Sequence, residues 1–390
     1  MTITFISNFL NHHQIPFSDA MYNLIGSDYA FVSTTPMDDE RTSMGWNVSA
    51  DHPYEISAYK SDTLMRKARQ LANDSDVVII GSAPDSFVEC RLKNRKLTFR
   101  YSERLYKQGL SLNNFPRALI SSYIHHGRFQ KYPIYMLCAS AYTATDLAVF
   151  GNYRGRAYKW GYFPAMREYD IDSLIKSKRR DVVKILWAGR FLDWKHPEHV
   201  VAVAKALNRE NIKFQLRMIG SGAKFAQVRC MANAMNLKYP IEFLGAMTPD
   251  AVRAHMEAAN IYLFTSDFNE GWGAVLNEAM NSGCAVVASH AIGSVPFLLQ
   301  HGENGFIYKN GDVADLCAKV TSLVKDNRLR EMLGANAYLT IKTTWNATVA
   351  ADRFLKLSKA LLSGDICKYE DGLCSRAEII KDNWFTDTSL

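Results

Sequence analysis

The segment SDFNEGWGAVLNEAMNSGCAVVAS, residues 266–289, decides how the chain is read. The apolar run IYLFT at 261–265 enters it as a buried strand, and AVVA at 285–288 leaves it as another. Between them lie a glycine loop, Gly271-Trp272-Gly273, and a short helix expected over 274–281, with Gly283 at a common helix-ending position. Strand, loop, helix and strand make a βαβ unit with parallel strands. Glycines let a ligand approach the backbone, and the first N–H groups of a helix have no intrahelical partner. Such a loop suits an anion, a diphosphate among them. Glu270 lies in the loop, and Glu278 follows eight residues later. At a rise of about 1.5 Å per residue, Glu278 sits about 7 Å into the helix, within reach of ribose hydroxyls. Glu270 can face a group on the other side of the phosphates.

The same alternation extends both ways. Upstream, strands expected over 182–187, 214–219 and 241–244 alternate with helices over 196–207, 224–236 and 249–258. Downstream, helices are expected over 313–324, 329–341 and 346–362. In the first half, strands are expected over 2–7, 29–33, 77–81, 96–99 and 135–139, with helices over 64–71 and 86–93. Two such series predict an α/β protein with two doubly wound sheets. The pattern breaks over 151–181, where GNYRGRAYKWGYFPAMREYD is rich in glycine and aromatics. The expected organisation is therefore an N-terminal Rossmann-like domain over 1–165 and a second one, with the loop suited to a diphosphate, over 166–365. A terminal segment, 366–390, is expected to cross back to the first domain. Residues 151–161 and the segment after Leu362 are the expected hinges.

At 390 residues the chain has room for two or three domains of about 100–200 residues each. With 48% apolar and 22% charged residues it reads as an ordinary globular enzyme. It has no apolar run of about 18 residues, so no transmembrane helix is expected. The opening MTITFISNFL lacks a basic leader and a cleavage site, and reads as a first strand. Seven cysteines without a CxxC pair argue against a disulfide framework or a zinc site, and for a reducing cytoplasm. The net charge of +7 is concentrated in residues 1–180, with 23 basic against 17 acidic side chains. Residues 91–107 alone carry Arg91, Lys93, Arg95, Lys96, Arg100, Arg104 and Lys107 against one acid, Glu103. An anionic membrane surface or a phosphate-bearing substrate would attract such a stretch. Nucleic acid is not an expected partner, since no recognition motif accompanies the charge. The expected location is cytoplasmic, peripheral on the inner face of the membrane.

A second constellation is LWAGRFLDWKHP, residues 186–197. Arg190 and Lys195, five residues apart after a strand, suit a diphosphate, because charge-assisted hydrogen bonds are about twice as strong as neutral ones. Gly220-Ser221-Gly222 is a further tight strand-to-helix turn.

Taken in order, GRFLDWKHP, MIGSG, FLGAM, the segment at 266–289 and HGENGF resemble the nucleotide-sugar half of glycosyltransferase family 4, over residues 182–362. The resemblance implies the GT-B fold, two facing Rossmann-like domains with a deep interdomain cleft, and sugar transfer with retention. It implies that Glu270 contacts the donor sugar, Glu278 the ribose, and Arg190 and Lys195 the diphosphate. Gly220, Gly271, Trp272 and Gly273 complete the implied nucleotide site. Trp272 stands where the family commonly has phenylalanine.

The first half resembles the family more loosely. The family's loop after strand one is usually glycine-rich; here NFLNHHQIP at 8–16 has no glycine and offers His12, His13 and Gln14. His13 is the candidate for contact with acceptor or donor. Where the family tends to carry a later histidine, this chain reads LTFRYSERLYK, and Glu103 is the candidate substitute. The alternative for Glu103 is a simple partner to the cations around it. His125 and His126 rank below both. Asp74-Ser75-Asp76 and Asp170-Ile171-Asp172 could hold Mg²⁺ on a diphosphate, but one precedes a strand and the other lies in the linker. Neither a metal nor another cofactor is expected.

The function these features imply is transfer of a sugar from a UDP- or GDP-linked donor to a hydroxyl of a saccharide or lipid-linked acceptor, in polysaccharide or glycolipid biosynthesis. One alternative is a non-catalytic nucleotide-sugar-binding scaffold, although Arg190, Lys195, Glu270 and Glu278 are all retained. A Rossmann oxidoreductase needs GxGxxG, and Phe225 stands where the third glycine after Gly220 and Gly222 would be.

Overall fold

Parallel strands with both faces covered have to be apolar along their whole length. The computed structural model, which describes residues 1–37, 51–111, 113–179 and 182–386, places such strands at the centre of two sheets. The first comprises β1 (Ile3–Ser7), β2 (Tyr29–Ser33), β3 (Glu55–Ser57), β4 (Val77–Ile80), β5 (Thr98–Ser102), β6 (Ile134–Cys138) and β7 (Ala157–Lys159). Their order is β3-β2-β1-β4-β5-β6-β7. The second comprises β8 (Val183–Ala188), β9 (Phe214–Ile219), β10 (Ile241–Gly245), β11 (Ile261–Phe264), β12 (Ala285–Ser289) and β13 (Phe306–Tyr308), in the order β10-β9-β8-β11-β12-β13. Among the described residues, every pairing between these strands is parallel. The strand order reverses between β1 and β4 in one sheet and between β8 and β11 in the other. Ligands of open α/β sheets bind at such reversals, outside the carboxyl ends of the strands.

The central strands fall within a residue or two of their expected positions. β5 is shifted most, running Thr98–Ser102 where 96–99 was expected. Arg95 adopts a left-handed φ of 56°, which ends the preceding helix, and the extended chain begins only beyond it. Sequence reading missed β3, β7 and β13, each three residues long and too short to show a period.

The chain divides into two compact units, Met1–Ala165 with Trp345–Lys381, and Met166–Thr344 with the residues from Asp382 onward. The chain first passes from one unit to the other after Ala165. The assignment of 166–365 as one domain needs correction, because the return begins at Trp345. Helix Ala347–Ser363 buries Ala350, Ala351, Phe354 and Leu357 within the first unit. The Phe354 ring meets Phe99, Trp160 and Phe17 at centroid distances of 5.0, 5.8 and 6.2 Å. The expected hinge at 151–161 contains β7, which pairs with β6 on one side. On its other side, Cys374 N–H donates to the Lys159 carbonyl and Lys159 N–H to Ser375. A strand held along both edges is not a hinge.

The basic stretch at 91–107 is largely used inside the first unit, which corrects its reading as a membrane-facing patch. Arg91 is fully buried and donates to the carbonyls of Ala72, Ser75 and Leu97 and to the Thr98 hydroxyl. Lys96 donates to the Asn73 and Asp74 carbonyls. Arg100 pairs with Asp85 at 2.6 Å, Arg104 is buried beside Asp146, and Lys107 pairs with Glu103 at 2.9 Å. A buried, partnered cation contributes little to a surface field.

Truncating a buried aromatic costs about 3–5 kcal/mol through lost burial and the cavity left behind. Phe354→Ala is expected to lower the unfolding free energy of the first unit, read from urea titration, by that much, although it lies outside 1–165. Unchanged unfolding would contradict the placement of the helix.

Candidate functional site

At the β8/β11 reversal two loops leave the second sheet side by side. One carries Arg190 and Lys195 and the other carries residues 265–273. They are tied by backbone and side chains alike. The Thr265 hydroxyl donates to the Lys195 carbonyl at 2.6 Å and receives the Trp187 indole N–H at 3.0 Å. Asp267 N–H donates to the Trp194 carbonyl at 2.9 Å. His196, in a left-handed conformation with φ 47°, lies between Asp267 and Glu198. Hydrogen bonds to these two carboxylates raise its pKa to about 9, so it is a third cation on this loop at neutral pH.

The junction closes on an ion pair. Lys195 Nζ meets Glu270 Oε2, and both side chains are nearly buried. Ser266 Oγ donates to the same oxygen at 2.9 Å, and the ammonium lies 4.5 Å from the Trp194 ring centroid. Arg190 is exposed at the start of its loop. Glu270 and Lys195 were expected to act on different parts of a donor; here they hold each other.

Glu278 lies in helix Val275–Asn281, and is only partly accessible. Burial pushes its pKa up to about 6, against the pull of Arg253 and Arg167. With only seven residues this helix has a modest dipole, so the cations carry more of any anion binding than the sequence implied.

Two expected contact residues have packing roles. The Trp272 side chain is fully buried, and its indole N–H donates to Asn277 Oδ1 at 2.8 Å, so it supports the loop from beneath. A Cβ on Gly220 would stand 1.9 Å from the Gly189 carbonyl oxygen. The turn after β9 thus presses on the Arg190 loop, with Phe191 N–H donating to Ser221 at 2.8 Å. Gly273 has φ +81°, and a Cβ there would lie 2.3 Å from the Phe264 ring. The Gly271 backbone is buried in the same loop.

In the first unit the loops after β1 and β5 bring His13 and Glu103 to one tyrosine that the sequence did not single out. The Tyr162 ring stacks on His13 at 5.7 Å with 10° between planes. Its hydroxyl donates to Glu103 Oε1 at 2.5 Å. Burial keeps that hydroxyl neutral by holding its pKa well above the usual value. Lys107 occupies the other Glu103 oxygen, so the cation-partner alternative also holds. His126 is buried and its pKa is lowered to about 3 by loss of hydration, while His125 meets Asp85.

The acidic triplets have local partners. Asp76 accepts from Thr2 N–H at 2.9 Å, and Asp170 caps helix Ile171–Ser177. Among the described residues, His196, Glu198 and His199 bring metal-ligand atoms within 4.8 Å of one another. Lys224 also lies 3.9 Å from Glu198, which weighs against a cation there.

Two parallel doubly wound sheets define an α/β protein of the GT-B fold class. Residues 170–340 match the family model of glycosyl transferases group 1. An uncharacterized glycosyltransferase of Methanocaldococcus jannaschii is 26% identical over 193 residues, 49% of each chain. The sulfoquinovosyl transferase of Arabidopsis thaliana is 27% identical over 202 residues, 51% of this chain and 38% of that one. The chain thus spans half or less of the length of these relatives. The crystal structure of Anabaena HepE in complex with UDP has the same fold, with a TM-score of 0.67 over 92% of this chain and 100% of that chain, at 15% identity.

A carboxyl whose folded pKa is raised favours the fold below its unfolded pKa and opposes it above the folded one. For Glu278 that window runs from the ordinary glutamate value of 4.5 to about 6. Glu278→Gln should therefore stabilise the unliganded protein at pH 7.5 by on the order of 1–2 kcal/mol. The gain should vanish near pH 4, where both side chains are neutral. Thermal melts across pH that show no such convergence would refute the assignment.

Proposed function

We propose that the protein is a retaining glycosyltransferase that moves a sugar from a UDP- or GDP-linked donor to an acceptor hydroxyl. The observation that carries this reading is the Lys195–Glu270 ion pair at the β8/β11 reversal, flanked by Arg190 and Glu278. The fold relative from Anabaena was crystallised with UDP and with UDP-glucose, which supports a nucleotide-sugar donor. The relatives' names, a sulfoquinovosyl transferase and a D-inositol 3-phosphate glycosyltransferase among them, support sugar transfer. A saccharide or lipid-linked acceptor, in polysaccharide or glycolipid synthesis, fits the same reading.

In the reaction, the bond between the anomeric carbon and the diphosphate oxygen breaks, and a bond to the acceptor oxygen forms on the same face. The acceptor proton passes to the leaving diphosphate, so no protein base is required. Negative charge grows on the diphosphate as the bond breaks, and preorganised cations lower the barrier most at that point. Arg190 meets this charge directly. Lys195 turns from Glu270 to the phosphate, which releases the Glu270 carboxylate to accept hydrogen bonds from sugar hydroxyls. Glu278 holds the ribose. Two cations suffice for the diphosphate, so a divalent metal is not needed.

Loss of one charge-assisted contact costs about 1.5–3 kcal/mol. Arg190→Ala should lower kcat/KM for donor by roughly 10- to 150-fold. Lys195→Ala should cost more, since it also leaves Glu270 buried without its cation. Adding Glu270→Gln to Lys195→Ala should restore thermal stability but not turnover. Glu278→Ala should weaken nucleoside diphosphate binding in calorimetry, while Glu270→Ala spares it. Wild-type turnover in folded Arg190→Ala and Lys195→Ala variants would sink this function, as would activity lost to chelator and regained with Mg²⁺ for the metal-free part.

A further inference from the structure

Helix Phe115–His125 has the reverse of the usual amphipathic arrangement. Phe115, Leu119, Ile120, Tyr123 and Ile124 all lie on its solvent side, with Ile120 61% and Tyr123 64% exposed. Their spacing of i, i+4, i+5, i+8 and i+9 places them on one continuous face. The residue turned inward is polar: Ser122 is buried, and its hydroxyl accepts from Asn152 Nδ2 at 2.8 Å. The apolar surface extends beyond the helix, because the Phe115 ring meets Phe150 at 5.3 Å, next to exposed Val149. Isolated exposed apolar side chains need no explanation, but a contiguous face of them marks an interaction surface.

The charges around this face indicate what covers it. From residue 104 to residue 145 the sequence has no aspartate or glutamate, but has Arg104, Lys107, Arg117, Arg128 and Lys131. Arg104 and Lys107 are engaged with Asp146 and Glu103, and Arg128 with Glu89 and Asp85. Arg117, on the helix itself, and Lys131 remain exposed. A helix with aliphatic and aromatic residues on one side, cations beside it and no acids fits the boundary between lipid headgroups and acyl chains.

We propose that helix Phe115–His125 docks the protein on an anionic lipid surface, its apolar face buried at the headgroup boundary and Arg117 and Lys131 among the phosphates. This places membrane contact on an element distinct from residues 91–107, whose cations are mostly used internally. The proposal does not depend on the transfer reaction.

Flotation of the full chain with lipid vesicles tests it. The protein should float with phosphatidylcholine vesicles containing about a third phosphatidylglycerol, and binding should weaken as salt rises. Ile120→Ser/Tyr123→Ser should reduce partitioning about tenfold or more, through lost apolar burial. Arg117→Ala should reduce it about fivefold, the share of one cation near an anionic surface. All these side chains are exposed, so circular dichroism and nucleoside diphosphate affinity should stay at wild-type values. No flotation of the wild type at low salt would overturn the proposal, as would a double variant that floats like wild type. A wild-type dimer that the double variant loses, without lipid binding by either, would instead assign the face to a second copy of the chain.

Discussion

The pairing of Lys195 with Glu270 ties together the two loops at the β8/β11 reversal of the second unit. Two charges nearly out of water are tolerable only if each neutralises the other and nearby groups satisfy what remains. Ser266 and the Trp194 ring do so here. The pair also sets a condition on any ligand. A phosphate that draws Lys195 away has to leave Glu270 with a new partner, and a ligand carrying both anionic and hydroxyl groups meets both needs. Phosphate alone satisfies one side only, so under the proposed reading the sugar hydroxyls of the donor are the new partner of Glu270.

That pair can form only because backbones approach each other more closely than side chains permit. Gly220 presses on the Gly189 carbonyl, and Gly273 lies against Phe264. Thr265 and Asp267 then bind the two loops together. Parallel strand order brings the loops from β8 and β11 side by side although nearly 80 residues separate them, and Trp272, buried beneath, supports them. Buried polar bonds and glycine contacts therefore do the positioning, while few side chains remain to face a ligand.

The first unit distributes charge differently. Its cations mostly bond to carbonyls and carboxylates of their own unit, with Arg91 the extreme case. Tyr162 joins His13 and Glu103 into one polar group across the loops after β1 and β5. Large apolar side chains are exposed singly in several places, such as Leu24 and Tyr59, but helix Phe115–His125 turns a whole face of them to solvent.

The sequence by itself determined the α/β class, the central strands and the glutamate-bearing loop. These rest on local signals: continuous apolar runs, strand-to-helix turns and a motif contained in 24 residues. What the sequence could not determine depends on which distant surfaces meet. Helix Ala347–Ser363 has an ordinary apolar face, and only the aromatic surface formed by Phe17, Phe99 and Trp160 decides that it joins the first unit. Arg91 and Arg117 look alike in sequence, yet one is buried among carbonyls and the other is exposed. Trp272 looked like a ligand contact, and Tyr162 drew no notice. A residue's type states which bonds it can make, but tertiary packing decides which partners come within reach and which groups stay in water.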